Sequence, residues 1–311
     1  MIKKLLGIIS GIMLVMLAAC SDDHAFQDLT DEEEMVDITF NLSSQTSDIT
    51  RADESQSLGK GKDIDELIYA VYLKNSDGSF TLLKQYGNRA NGQCIPSDFA
   101  RVFRSEGKYD ITLRLMRKQE YCIAFWAQKK ATGFYNTSDL EYVTINYNAA
   151  KNNDETRDAF CKADIFSVGA TQLNSSRSVT LTRPFTQINV GTKKSEDDNE
   201  NQIYSSSKLE IEGLANEINV LTNETKGSQT VVFDWAPSPL EIDLEIDTEL
   251  DGTLEKFQYL SMSYILPSSD KLTSLKIFLS DSDQTNKTEP DYSLTDVPVD
   301  KNWRTNIIIT D

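Results

Sequence analysis

The first residue able to do chemistry is Cys20. Lys3-Lys4 opens the chain, an apolar run follows from Leu5 to Met16, and Leu17-Ala18-Ala19 leads into the cysteine. A charged, then apolar, then small-residue order is that of a secretory signal. The run is shorter than the ~20 apolar residues of a permanent membrane helix. A cysteine at the cleavage point makes the site a lipobox, cut between Ala19 and Cys20. The Cys20 thiol then carries diacylglycerol, and everything after it is tethered outside the cytoplasm.

The remaining reactive residues exclude more than they support. His24 is the only histidine, four residues past the lipid site. Ser-His-Asp and Cys-His catalysis and histidine-bound zinc are therefore absent. Cys94, Cys122 and Cys161 are far apart and show no CxxC spacing. Cys122 sits in an apolar run and belongs in a core, and one disulfide among the three stays open. Gly59-Lys60-Gly61-Lys62 lacks the strand-before, helix-after setting of a phosphate loop. It reads as part of an exposed, flexible loop over 53–62. No pair among the 49 acids is singled out for glycoside hydrolysis. No calcium loop pattern occurs. The expectation is a protein that is not an enzyme, with no cofactor and no metal. Trp126 lies in a core-like strand. Trp235 and Trp303 are the candidate ligand-contacting aromatics, because exposed rings stack on sugar faces.

The elements that must carry these residues are strands. Val36, Ile38, Phe40 and Leu42 alternate with polar residues, so a half-buried strand is expected there. Leu67–Leu73 and Phe80–Tyr86 flank an Asp-Gly turn and predict a hairpin. Tyr109–Leu115, Glu120–Gln128, Tyr142–Tyr147, Ser178–Thr182 and Phe185–Gly191 follow as strands. Ala159–Val168 is expected to contain a short helix or irregular turn before Phe166 and Val168. Residues 192–207 are almost devoid of apolar side chains and mark a boundary. Beyond them Lys208–Leu214, Glu217–Leu221, Thr230–Phe233, Phe257–Leu266, Ser274–Leu279 and Asn306–Thr310 are again strands. No helical apolar stripe and no repeat at a fixed period is visible. Many short strands between turn signals point to β-sandwiches. The organisation expected is a signal peptide 1–19, an acidic tether 20–35, a first sandwich 36–192 and a second 208–311. The net charge of −18 argues against nucleic acid and against direct contact with anionic lipid.

Several segments, taken in order, resemble the fimbrillin-like proteins of Bacteroidetes. They are Phe125-Trp126-Ala127-Gln128, the run Thr182–Gly191 (Thr-Arg-Pro-Phe-Thr-Gln-Ile-Asn-Val-Gly), Tyr264-Ile265-Leu266-Pro267 and Asn302–Ile308. Thr50-Arg51-Ala52 and the lipobox complete the set. The acidic residues after Cys20 resemble the export signal of surface lipoproteins in that phylum. The resemblance implies an all-β chain of two antiparallel β-sandwich domains of transthyretin-like topology behind a lipoprotein signal peptide. It implies an outer-membrane lipoprotein facing outward, matured by a cut between Arg51 and Ala52. That cut removes the strand 36–42, and another fimbrial subunit supplies a replacement strand. The chain stops at Thr310-Asp311, without the further strands of shaft subunits, which favours an accessory, terminal or unpolymerised role. The alternative is a lipid-anchored monomer that binds host or bacterial surface glycans.

Overall fold

The structure, a computed structural model, describes residues 34–44, 59, 61, 63–86, 109–130, 132–193, 204–238, 240, 243–247, 252–281 and 287–309. Ala19, Cys20, Arg51, Ala52 and Cys94 lie outside them, as does most of the acidic tether. The fold is all-β, with a 3-10 turn at Glu155–Arg157 among the described residues. No helix among the described residues is long and apolar enough to cross a membrane.

The first sandwich is built from β1 (Met35–Ser44), β2 (Glu66–Lys74), β3 (Phe80–Tyr86), β4 (Tyr109–Met116), β5 (Gln119–Gln128), β8 (Ala159–Val168) and β9 (Ser175–Leu181). β6 (Tyr135–Asn136) and β7 (Val143–Ile145) are short strands inserted between β5 and β8. One sheet runs β4-β1-β9 and the facing sheet β3-β2-β5-β8. Alternation in β1 puts Val36, Ile38, Phe40 and Leu42 into the space between them.

The second sandwich comprises β10 (Thr186–Lys193), β11 (Ser206–Leu214), β12 (Glu217–Ile218), β13 (Thr225–Lys226), β14 (Gln229–Pro237), β15 (Asp243–Ile246), β16 (Glu255–Ile265), β17 (Lys271–Leu272), β18 (Ser274–Ser280), β19 (Tyr292–Leu294), β20 (Val297–Pro298) and β21 (Arg304–Ile309). Its sheets run β15-β16-β10-β21 and β14-β11-β18-β19. Apart from the extra edge strand β15, this repeats the first sandwich. β4-β1-β9 corresponds to β16-β10-β21, and β3-β2-β5-β8 to β14-β11-β18-β19. In each unit the first strand pairs antiparallel on one side and parallel with the last strand on the other. Each sandwich is thus antiparallel apart from one parallel strand pair. A parallel pair needs a long crossover, and here the whole sandwich provides it. Inserts of different length blur this repeat in the sequence, which is why no fixed period is seen there.

The sequence expectation for Ala159–Val168 needs correction. The segment is a ten-residue strand paired with β5 along its full length. Lys162 and Asp164 break its alternation. Asp164 is held by Arg177 of β9 at 2.5 and 2.9 Å, a partner the local pattern does not reveal. β10, placed by sequence just before the 192–207 boundary, takes both its neighbours from beyond residue 254.

The two sandwiches are joined by more than the chain. A small sheet of order β13-β12-β7-β6 crosses between them, with Thr144 opposite Glu217 and Val143 opposite Ile218. One apolar cluster is common to both. It packs Tyr72, Cys122 and Trp126 with Phe185, Phe257 and Met262.

Candidate functional site

Two features stand out when the chemistry-bearing residues are placed. One is the slot filled by β1, and the other is the seam between the sandwiches.

β1 occupies the middle of its sheet. Ile38 and Phe40 are fully buried, and the Phe40 ring lies 5.8 Å from Phe125 and 5.6 Å from Phe166. Its polar side is matched too. Thr39 bonds Thr112 at 2.9 Å, Asn41 donates to Asp110 at 2.7 Å, and Ser43 meets Thr180 at 3.3 Å. Each of its four inward side chains is worth about 1.5–3 kcal/mol of burial. Their sum is comparable with the whole stability of a small domain. A sandwich without this strand has an open slot flanked by the edges of β4 and β9.

The chain leaves β1 at Ser44 and is next described at Gly59. There it is clamped, contrary to the sequence expectation of an exposed loop over 53–62. The Gly59 N–H donates to both carboxylate oxygens of Glu155 at 3.1 Å. Its carbonyl accepts from the Arg183 guanidinium. Gly59 has φ +80°, and a Cβ there would stand 2.4 Å from Gln187 Oε1. A Cβ at Gly61, φ +65°, would stand 2.9 Å from the Phe160 ring. Both positions therefore require glycine, for handedness and for space.

Arg183 is the centre of the clamp. Its Nε and one terminal nitrogen reach the two oxygens of Asp158 at 2.7 and 2.9 Å, and both side chains are fully buried. Burial opposes the charge on Arg183, but Asp158, Tyr264 and Glu155 together outweigh it and the pKa is raised. Such a fork-to-fork pair holds geometry as well as charge. The Arg183 ring-face neighbour is Phe160, 4.6 Å from the guanidinium carbon. The Arg183 N–H donates to Asn302 Oδ1 at 3.2 Å.

All four internal segments that carry the fimbrillin resemblance meet at this seam. Trp126 is fully buried, donates to Gln128 Oε1 at 2.8 Å, and lies edge-on to Phe185. Gln187 donates to Asn189, which donates to Asn306 at 2.7 Å. Tyr264 reaches Glu155 at 3.4 Å. Their arrangement is that of an architectural joint. Sequence reasoning recognised these segments but not their convergence, because their partners are 100 residues or more away in several cases.

The aromatic candidates separate. Trp303 is 50% exposed, and its backbone carbonyl accepts from Gln187 N at 2.9 Å. Trp235 is half-buried on β14, with the Lys208 ammonium 5.9 Å from its ring centroid. The structure does not bring the two rings into contact. Cys122 and Cys161 are buried free thiols, each pushed up to about 12 by burial. They are chemically quiet at neutral pH. Among the described residues no group of three His, Cys, Asp or Glu could hold a metal ion.

A family model described as a family of unknown function, DUF6562, matches residues 28–308. The chain belongs to that family. No curated protein matches it. Among solved structures it is similar to a candidate adhesin of Bacteroides thetaiotaomicron, at 10% identity over 84% of this chain and 79% of that one, with a TM-score of 0.49. A fimbrial assembly protein of Parabacteroides distasonis is 15% identical over 88% and 90% of the two chains, with a TM-score of 0.45. A candidate polysaccharide-binding protein of Bacteroides thetaiotaomicron is 12% identical over 79% and 77%, with a TM-score of 0.42.

Proposed function

We propose that this DUF6562 protein is a non-enzymatic cell-surface lipoprotein of fimbrillin type. It is anchored in the outer membrane by lipid on Cys20, faces outward, and serves as a structural, accessory or adhesive component of a fimbrium. The observation that carries this reading is the position of β1. It is the first strand among the described residues, lies at the centre of its sheet, and is separated from the clamp at Gly59 only by the segment that contains Arg51. A cut after Arg51 leaves β1 on the lipidated piece and the clamp on the body. The vacated slot then accepts a strand from another subunit, antiparallel to β4 and parallel to β9 as β1 was.

The test is trypsin-like proteolysis of intact cells, followed by N-terminal sequencing of what is released. The expected fragment begins at Ala52, has lost β1, and binds a synthetic peptide covering residues 34–44. Released protein that always begins at Cys20, or a fragment from Ala52 that ignores the peptide, refutes strand exchange.

Exposed Trp303 supports a second reading, a lipid-anchored monomer that binds surface glycans. A glycan array with the intact chain and with Trp235→Ala and Trp303→Ala decides it. Binding unaffected by both substitutions removes the aromatic basis of that reading.

A further inference from the structure

The seam encloses a cavity of about 410 Å³. Its wall is drawn from both sandwiches. Lys162 and Thr182 come from the first, and Asn223, Asp300, Lys301 and Asn302 from the second. The size is that of a small-ligand site rather than of a packing defect.

The wall is unusual in its charge. The chain carries −18 overall, yet two lysines line this cavity and neither forms an ion pair among the described residues. Lys162 is exposed. Lys301 is half-buried, and its ammonium donates to the carbonyl and to the Oδ1 of Asn223, both neutral oxygens. Burial lowers its pKa, with Cys161 and Asp300 acting the other way. A partly desolvated ammonium without a carboxylate partner is costly, and an anion in the cavity would offset that cost.

The neighbours of Lys301 extend the argument. Asn223 and Asn302 hold left-handed backbones, at φ +62° and +57°. Asn223 Oδ1 is occupied by Lys301 and Asn302 Oδ1 by the Arg183 N–H, both oxygens acting as acceptors. This orients each amide with its oxygen engaged and its NH2 without a partner among the described residues. Asp300 uses Oδ1 to accept the Lys301 N–H at 2.7 Å. Its second carboxylate oxygen is an acceptor suited to a hydroxyl. Cations and amide donors for a carboxylate, beside an acceptor for hydroxyls, make a mixed recognition set.

From this juxtaposition we infer that the seam cavity binds an acidic saccharide of uronate type, its carboxylate on Lys301 and Lys162 and its hydroxyls toward Asp300. The site is independent of strand exchange at β1 and would work in a subunit or in a monomer. Trp303 is not part of the wall.

Isothermal titration of the full mature chain tests this, with glucuronate and galacturonate as probes and glucose, acetate and inorganic phosphate as comparisons. At least one uronate should bind at millimolar concentration or tighter, more strongly than glucose, acetate or phosphate. Lys301→Met should weaken it about tenfold or more, the scale of one charge-assisted contact. Lys162→Ala, at an exposed position, should weaken it less and should make binding less sensitive to salt. Thermal unfolding of both variants reports on folding, and Leu173→Ala, at an exposed position outside the cavity wall, should bind as the parent does. No heat with either uronate overturns the inference, as does binding indifferent to both lysine substitutions. Equal binding of glucose shows that charge is not read, and equal binding of phosphate or acetate reduces the site to one for any small anion. Either result also overturns it.

Discussion

Single residues in this protein are set by sterics and burial more than by reactivity. Gly59 and Gly78 both hold positive φ, but only Gly59 has a neighbour where a Cβ would go. Gly78 sits in the open turn of the β2–β3 hairpin, with its N–H donating to Asn75. Gly78→Ala should cost about 1 kcal/mol from backbone strain alone. Gly59→Ala should cost about 1–3 kcal/mol more, since crowding at Gln187 adds to the strain. Chemical denaturation of the two variants measures the gap, and equal losses would show that the clamp is loose. The buried thiols give a second residue-scale expectation. With Cys122 and Cys161 at about 12 against an ordinary 9.0, about one thiol in 10⁴ is ionised at pH 8. In a chain carrying Cys94→Ser, a thiol reagent at pH 8 should therefore modify neither until denaturant is added. The sign for stability follows. Folding favours the neutral thiols, so this contribution is intact below about pH 9 and declines as pH rises toward 12. Labelling of native protein at pH 8 would contradict the burial.

At the scale of elements, β1 is the strand whose removal matters most. Phe40→Ala should destabilise the intact chain by about 3–5 kcal/mol, as for a fully buried aromatic. Thr39→Ala, on the opposite face of the same strand, should cost about 1 kcal/mol or less. If the strand leaves after a cut at Arg51, the Phe40 substitution should have no effect on the cleaved body. Urea titration before and after proteolysis reads all three values. A Phe40 effect that persists in the cleaved body would mean that β1 stays in its slot.

For the whole molecule, the shared cluster of Trp126, Phe185 and Met262 and the crossing sheet of β7 and β12 make the sandwiches one mechanical unit. The intact chain should therefore unfold in a single calorimetric transition. Met262→Ala, at a fully buried position in that cluster, should lower it as a whole, by about 2–5 kcal/mol. Two separate transitions, with only one moved by the substitution, would show that the seam does not couple the units.

Local pattern determined a good part of this protein. Alternation at Val36–Leu42, the Asp-Gly hairpin and the apolar run at Glu120–Gln128 were legible because strand period and turn chemistry act over a few residues. With His24 the only histidine, composition alone pointed away from histidine-based catalysis. Tertiary structure decided what depends on distant partners. Only Arg177 makes Asp164 tolerable in a strand, and only Asp158 makes Arg183 tolerable in a core. Gly59 and Gly61 read as loop residues until Gln187 and Phe160 are brought against them. Parallel closure of each sandwich by its own last strand, and the placing of Lys162 and Lys301 on one cavity wall, depend on contacts across 100 residues or more. No local period encodes such contacts, since each partner lies far outside the few residues over which strand period and turn chemistry act.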